Sequence, residues 1–159
     1  AYFENLLDSS IASIHRISAD LRPGILDAGL VAALEWLSSE FELQTGLACE
    51  FRCKDLDIAL DTKLATILFR IAQEACNNIR KHADASGVDI HLHDDGSELL
   101  MEIIDNGRGI SDEQRDNPQS FGLRSMEERV AAIGGTLQIV SRPGKGTMIS
   151  ARVPTRRAC

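Results

Sequence analysis

The chain has 159 residues, 43% of them hydrophobic and 26% charged, with a formal net charge of −7. That length suits one domain with a real core and is too short for two full ones. The acidic balance argues against non-specific nucleic-acid binding, which needs a basic surface.

No apolar run approaches the roughly 20 residues needed to cross a bilayer. Glu4, Asp8, Arg16 and Asp20 interrupt the apolar positions of the first 20 residues, so neither a signal peptide nor direct membrane contact is expected. Cys49, Cys53, Cys76 and Cys159 form no C-x-x-C pair. Cys49 and Cys53 would share one face of a strand and read as core thiols before a metal site, a reducing compartment is the default, and a cytoplasmic location is the expectation.

Residues 2–21 read as a helix, with Leu7, Ile11, Ile14 and Leu21 on a narrow seam that Ser18 interrupts. Such a seam suits half of a coiled coil or helical hairpin, or equally an amphipathic helix packed on its own domain. Pro23-Gly24 ends it. Ile25 to Gly29 reads as a connector. Residues 30–45 then form a helix through Leu30, Ala33, Leu34, Leu37 and Phe41, with the single tryptophan, Trp36, read as packing. Thr45-Gly46 stops it. Leu47 to Arg52 is a predicted strand and Lys54 to Asp57 a loop.

Asp61 or Thr62 can cap a long helix that runs to about Ala83. Leu64, Leu68, Ile71, Ala72, Ala75 and Ile79 fill one side of it. On the other, at about 100° per residue, Glu74, Asn78 and Lys81 project within roughly 60° of one another. An acid, an amide and a base so aligned can hold a hydrated divalent cation and a phosphate chain. The competing reading is a solvated face with i,i+3 and i,i+4 charges.

Val88, Ile90 and Leu92 alternate with Asp89, His91 and His93 in a half-buried strand. His91-x-His93 lacks a nearby third ligand and reads as a wet sheet face before it reads as a metal site. Asp95-Gly96 is a hairpin turn, and Leu99 to Ile104 the return strand. Residues 110–121 are polar and lack an apolar period, which predicts a mobile loop. Gly122 to Ile133 returns to helical spacing. Leu137 and Ile139 share a strand, Pro143-Gly-Lys-Gly146 is a tight turn, and Thr147 to Val153 is the last strand. Helices interleaved with antiparallel hairpins, about five strands in all, predict an α+β two-layer sandwich with helices on one face of a mixed, mostly antiparallel sheet.

Three glycine-bearing segments join the Glu74/Asn78/Lys81 helix: Asp105-Asn-Gly-Arg-Gly109, Phe121-Gly-Leu123 and Gly144-Lys-Gly-Thr147. Glycines admit close backbone approach, and each segment alone is also an ordinary turn. Asp105, at a strand end, is placed to accept a hydrogen bond from an exocyclic amine. Gly122 opens a helix whose N-terminal N–H groups suit phosphate. Two commoner nucleotide motifs fail. Asp112 stands where a Rossmann third glycine belongs, and Gly146 follows Lys145 where a Walker A loop has Ser or Thr.

In order and spacing, Glu74-x-x-x-Asn78-x-x-Lys81-His82, Asp105-x-Gly107-x-Gly109, Gly122-Leu123-x-x-Met126-x-Glu128-Arg129-Val130 and Gly144-x-Gly146-Thr147 resemble the ATP-binding domain of sensor histidine kinases. The subfamily most resembled is that of nitrate/nitrite sensors and DesK-type thermosensors. Leu21-Arg22-Pro23-x-x-Leu26-Asp27-x-x-Gly29-Leu30-x-x-Ala33-Leu34 resembles its junction between dimerisation helices and catalytic domain.

The resemblance implies a Bergerat-type ATP-binding fold and ATP bound with Mg²⁺ under a lid at about Arg108 to Phe121. By position, Asp105 contacts the adenine amine, with Thr147 nearby through water. Asn78 ligates Mg²⁺, and Glu74 orients a metal-bound water or assists proton removal. Lys81 and His82 face the phosphates, while Gly107, Gly109, Gly122 and Leu123 shape the pocket and lid. The γ-phosphoryl passes to a histidine and thence to an aspartate of a response regulator. The implied domains are 1–23, a partial dimerisation helix; 24–154, the catalytic ATP-binding domain; and 155–159, a tail. The implied partners are a response regulator and the kinase's own dimerisation helices, in a homodimer.

His15 precedes Arg16, not an acid, and matches no acceptor position of the family. The expectation is therefore an ATP-binding part without its own acceptor histidine. Ser120 stands where many relatives carry glycine. An anti-sigma-factor-type serine kinase and an ATP-binding interaction module are the alternatives. The Leu-Arg-Pro junction counts against the first and the complete set of motif residues against the second.

Overall fold

A computed structural model of the chain describes residues 24–54, 58–111 and 121–155. The expected first helix with His15, most of the expected lid including Ser120, and the tail beyond Thr155 lie outside the described residues.

The segment expected to be a connector is a short 3₁₀ helix, Gly24–Ala28, which buries Leu26. Gly29 closes it by donating to Leu26 O at 3.0 Å. Helix α1, Leu30–Thr45, follows and buries Leu30, Ala33, Leu34, Leu37 and Phe41. Those residues fill its inner face, so Trp36 falls on the other side and is 45% exposed rather than packed. Gly46 ends the helix in the left-handed region, its N–H bonded to Glu42 O.

Strand β1, Ala48–Cys53, lies one residue beyond the expected span. Helix α2, Thr62–Asn78, starts where the Asp61 carboxylate accepts the Lys63 N–H at 3.0 Å. It buries Leu64, Leu68, Phe69, Ile71, Ala72 and Ala75 in the core. After Asn78 the chain stays helical but widens into a π turn, Ile79–Ala83, ended by left-handed Asp84.

Strands β2 (Gly87–Asp94), β3 (Glu98–Asp105), β4 (Thr136–Ser141) and β5 (Thr147–Pro154) complete the sheet, with helix α3 (Phe121–Ala131) before β4. The spatial order is β1-β2-β3-β5-β4. β1 runs parallel to β2 and every other pair is antiparallel. A parallel neighbour needs a crossover, and α2 supplies it. The expected α+β sandwich with a five-stranded mixed sheet is what the chain adopts.

Val88, Ile90, Leu92, Met101, Ile103, Ile149 and Ala151 turn inward to the helices and are buried. The alternate residues Asp89, His91, Glu102 and Ser150 share the opposite face through the strand registers. Among the described residues no helix is long and apolar enough to cross a membrane. Nor does any group of three or more His, Cys, Asp or Glu among them suit a metal ion.

Candidate functional site

One end of the sheet gathers the polar residues. Asp105 ends β3, Thr147 opens β5 and Ser141 ends β4. The registers put Asp105 opposite Thr147 and Thr147 opposite Ser141. Asp105 is 5% exposed, yet its carboxylate is not bare. Oδ1 accepts the Gly107 N–H at 2.8 Å, and the nearby Thr147 backbone N–H also favours the charged carboxylate. Burial outweighs both donors and holds the Asp105 carboxyl above the usual aspartate range.

Gly146 makes this corner possible. Its φ is +78°, and a Cβ there would overlap the Asp105 carbonyl. Asn106 pins the loop from outside, its Oδ1 accepting the Ser86 and Gly87 N–H groups at 2.9 and 3.0 Å.

The opposite wall is the end of α2. The π turn there is tied to the Asp105–Gly109 loop by Arg108, whose backbone N–H donates to Ala83 O at 2.7 Å and whose Nε donates to His82 O at 2.6 Å. Gly107 lies so close beneath that a Cβ would overlap Ala83 O. Gly144 N–H donates to Arg108 O at 2.7 Å, which joins the β4–β5 turn to the same loop. π turns inside α-helices recur at functional sites because they re-aim side chains without ending the helix.

Between these walls lies an open pocket of about 420 Å³. Ala75, Ile79, Ala83, Ile110, Leu123 and Ile149 give it apolar sides. Asn78, His82, Asp105, Arg108 and Thr147 supply its polar groups, and Gly109 and Gly122 complete it. This lining suits a largely apolar group with a polar edge at Asp105 and an anionic part toward His82 and Arg108.

Asn78, His82, Asp105, Gly109, Gly122, Leu123 and Thr147 of the sequence-derived set therefore line one cavity. Glu74 stands at its margin: a Cβ on Gly122 would lie 2.5 Å from Glu74 Oε1 and 3.5 Å from Asn78 Nδ2. A side chain at position 122 would therefore displace the Glu74 carboxylate. Gly107 is buried under the loop and shapes it from behind. Lys81 is exposed and outside the pocket wall. The π turn breaks the 100° progression that had aligned Lys81 with Asn78, and His82, itself exposed, is the basic residue of the turn that lines the pocket.

Sequence reasoning did not single out Ile79, Ile149, Arg108 or Ser141 for the site. Ile149 was reachable as the inward position two residues after Thr147. Arg108 sat inside a motif that drew attention to its glycines. Nothing in the sequence pointed to Ser141.

Fold and pocket together define a domain that takes a ligand between a helix face and glycine-bearing strand ends. Residues 64–157 match the family described as histidine kinase-, DNA gyrase B-, and HSP90-like ATPase, and the chain belongs to that family. ATP is the ligand that membership brings.

The chain is 38% identical over 151 residues to the sensor histidine kinase MctS of Rhizobium johnstonii, covering 93% of this chain and 32% of that protein. It is 36% identical over 150 residues to the signal transduction histidine-protein kinase/phosphatase DegS of Brevibacillus brevis, covering 94% of this chain and 39% of that protein. It thus spans between 32% and 39% of the length of these curated relatives. In fold it is similar to the histidine kinase domain of the Erythrobacter litoralis EL346 blue-light activated histidine kinase, with a TM-score of 0.67 at 20% identity, covering 79% of this chain and 61% of that one.

Proposed function

We propose that this chain is the ATP-binding catalytic domain of a two-component sensor histidine kinase of the nitrate-sensor and DesK-like kind. The observation that carries the reading is a pocket that brings together a buried carboxylate, Asn78 and His82.

Asp105 accepts the exocyclic amine of adenine, and Thr147 assists at the same edge. Ile79, Ile149 and Leu123 sandwich the base. His82, with Lys81 reaching in from its exposed position, meets the phosphate charge. Gly107 and Gly109 keep the loop close to the nucleotide, and Gly122 lets α3 approach Glu74 and Asn78.

Mg²⁺ fits this donor set. Asn78 and Glu74 reach the same spot beside Gly122. A sparse protein donor set suits a cation that takes most of its ligands from water and phosphate. The Asn78 amide oxygen would hold the ion, which when bound supplies neutralisation of the phosphate charge. Glu74 orients water there or draws off the proton of an incoming nucleophile.

In the reaction, a histidine ring nitrogen attacks the γ-phosphorus. The bond from phosphorus to the β,γ-bridging oxygen breaks, and ADP leaves with the electron pair. The phosphoryl group then moves to an aspartate of a response regulator. This chain's part is to position the nucleotide and balance its charge. Dimerisation helices of the same kinase present the accepting histidine, in a cytoplasmic homodimer.

Calorimetric titration of ATP with and without Mg²⁺, and of GTP as control, tests the reading. Micromolar, adenine-selective binding strengthened by Mg²⁺ is the expected result. Absence of ATP binding under both conditions would overturn it.

A further inference from the structure

Among the described residues that line the pocket, Arg108 alone carries a permanent positive charge. The place where it stands calls for one. His82 and Ala83 close the helical run that begins at Thr62. The last carbonyls of a helix have no partner within it, and the aligned peptide dipoles leave about half a negative elementary charge there. A phosphate chain laid against this end of α2 meets a repelling field. Helix N-termini, which many phosphate sites use, present the opposite one.

Arg108 meets that helix end twice. Its backbone N–H donates to Ala83 O at 2.7 Å and its Nε to His82 O at 2.6 Å. The second bond fixes the guanidinium beside carbonyls that favour a cation. A guanidinium has five N–H groups, and Nε accounts for one. The four on the terminal nitrogens have no partner among the described residues. Arg52, Arg124 and Arg152 reach carboxylates at 2.7, 3.2 and 3.1 Å, whereas Arg108 forms no ion pair among the described residues. A long, exposed side chain held in place without a carboxylate is preorganised for an anion brought from outside.

The tie between the loop and the π turn survives without the side chain. The bond to Ala83 O, and the Gly144 N–H that donates to Arg108 O at 2.7 Å, are backbone bonds that any residue at position 108 can make. The guanidinium adds a charge and an unused fork of donors.

We infer that Arg108 is a further nucleotide-binding residue: its guanidinium, fixed on the closing end of α2, takes a phosphate oxygen of the nucleotide and offsets the field of that helix end. The inference rests on the ATP-binding reading above. It adds a phosphate contact that the motif does not supply, because the motif's residues there are the flanking Gly107 and Gly109.

The test is calorimetric titration of ATP with Mg²⁺ into the wild-type chain, Arg108→Met and Arg108→Lys, at about 0.05 M and about 0.5 M NaCl. Those salts set screening lengths of roughly 14 and 4 Å. Arg108→Met keeps the stem and removes the charge. It should weaken ATP binding about fivefold to tenfold at the lower salt, and the deficit should shrink to about twofold at the higher. Arg108→Lys keeps a point charge without the fork. It should recover about half of the loss or more, on a logarithmic scale, and weaken with salt as the wild type does.

A deficit of equal size at both salts would mark a structural role and overturn the inference. So would Arg108→Met binding ATP like the wild type at the lower salt, or Arg108→Lys binding no better than Arg108→Met. Should Arg108→Met not fold, Arg108→Gln, also uncharged, takes its place with the same expected outcomes. A wild-type chain that binds no ATP at either salt overturns the ATP reading itself. ATP binding that these changes leave untouched overturns only the role of Arg108.

Discussion

At the scale of single residues the site runs on a few atoms whose environment is fixed by neighbours. In the proposed reading Asp105 accepts an amine as a carboxylate, and burial raises its pKa above the ordinary value. ATP affinity should therefore fall as pH drops through that raised pKa, starting at a higher pH than an exposed aspartate would give. Asp105→Asn should bind weakly and lose this dependence, which titrations at several pH values check. For folding the sign is reversed. A carboxyl with a raised folded-state pKa costs stability above the range where it titrates, and the cost is relieved as pH falls. Gly146→Ala forces a side chain into the left-handed region and against the Asp105 carbonyl. It should cost about 2–4 kcal/mol, seen as a lower urea midpoint at unchanged slope. Asn78→Ala should leave the fold intact and remove the strengthening of ATP binding by Mg²⁺. Undiminished Mg²⁺ dependence in that variant would sink the metal assignment.

At the scale of elements α2 does two jobs with two faces. Its inner face carries Leu68, Phe69, Ile71 and Ala72, each with no measurable exposure. Leu68→Ala should cost about 2–5 kcal/mol in a denaturant titration, through lost transfer energy and the cavity left behind. The outer face hands the chain to the π turn, whose aim depends on Arg108. Arg108→Ala removes the bond to His82 O. Hydrogen exchange over residues 80–84 should quicken and ATP affinity fall by about fivefold to tenfold, on the order of one ordinary hydrogen bond. The unfolding midpoint should barely move, because the Arg108 side chain is exposed.

Over the described residues the molecule is one layer of helices on one layer of sheet, and its thiols report how that core is closed. Burial pushes the Cys49 thiol up to about 11 and the Cys76 thiol up to about 12. Both are protonated at neutral pH and shielded, so they are poor nucleophiles. A thiol reagent should label Cys53, which is partly exposed, ahead of either. Cys49 and Cys76 should react only as the domain unfolds, and peptide mass mapping across a urea series checks the order.

The sequence by itself determined the elements and the motif residues. Period-two and period-3.6 patterns are local, and so are the caps at Asp61 and Gly46 and the breaks at glycine and proline. The five strands and three of the helices were therefore legible, as were Asp105, Asn78 and Gly122. The sequence misplaced Trp36, because a lone aromatic near a helix seam does not say which side the neighbours fill. It aligned Lys81 with Asn78, because a regular helix was the only geometry that spacing supplies. The π turn is held by Arg108 and Gly107 from a segment some 25 residues further along, a contact no local pattern encodes. The place of Ser141 depends on strand register, which sets it beside Thr147 across two antiparallel strands. Three contacts meet there at one hydroxyl. Such a meeting exists only in the folded chain.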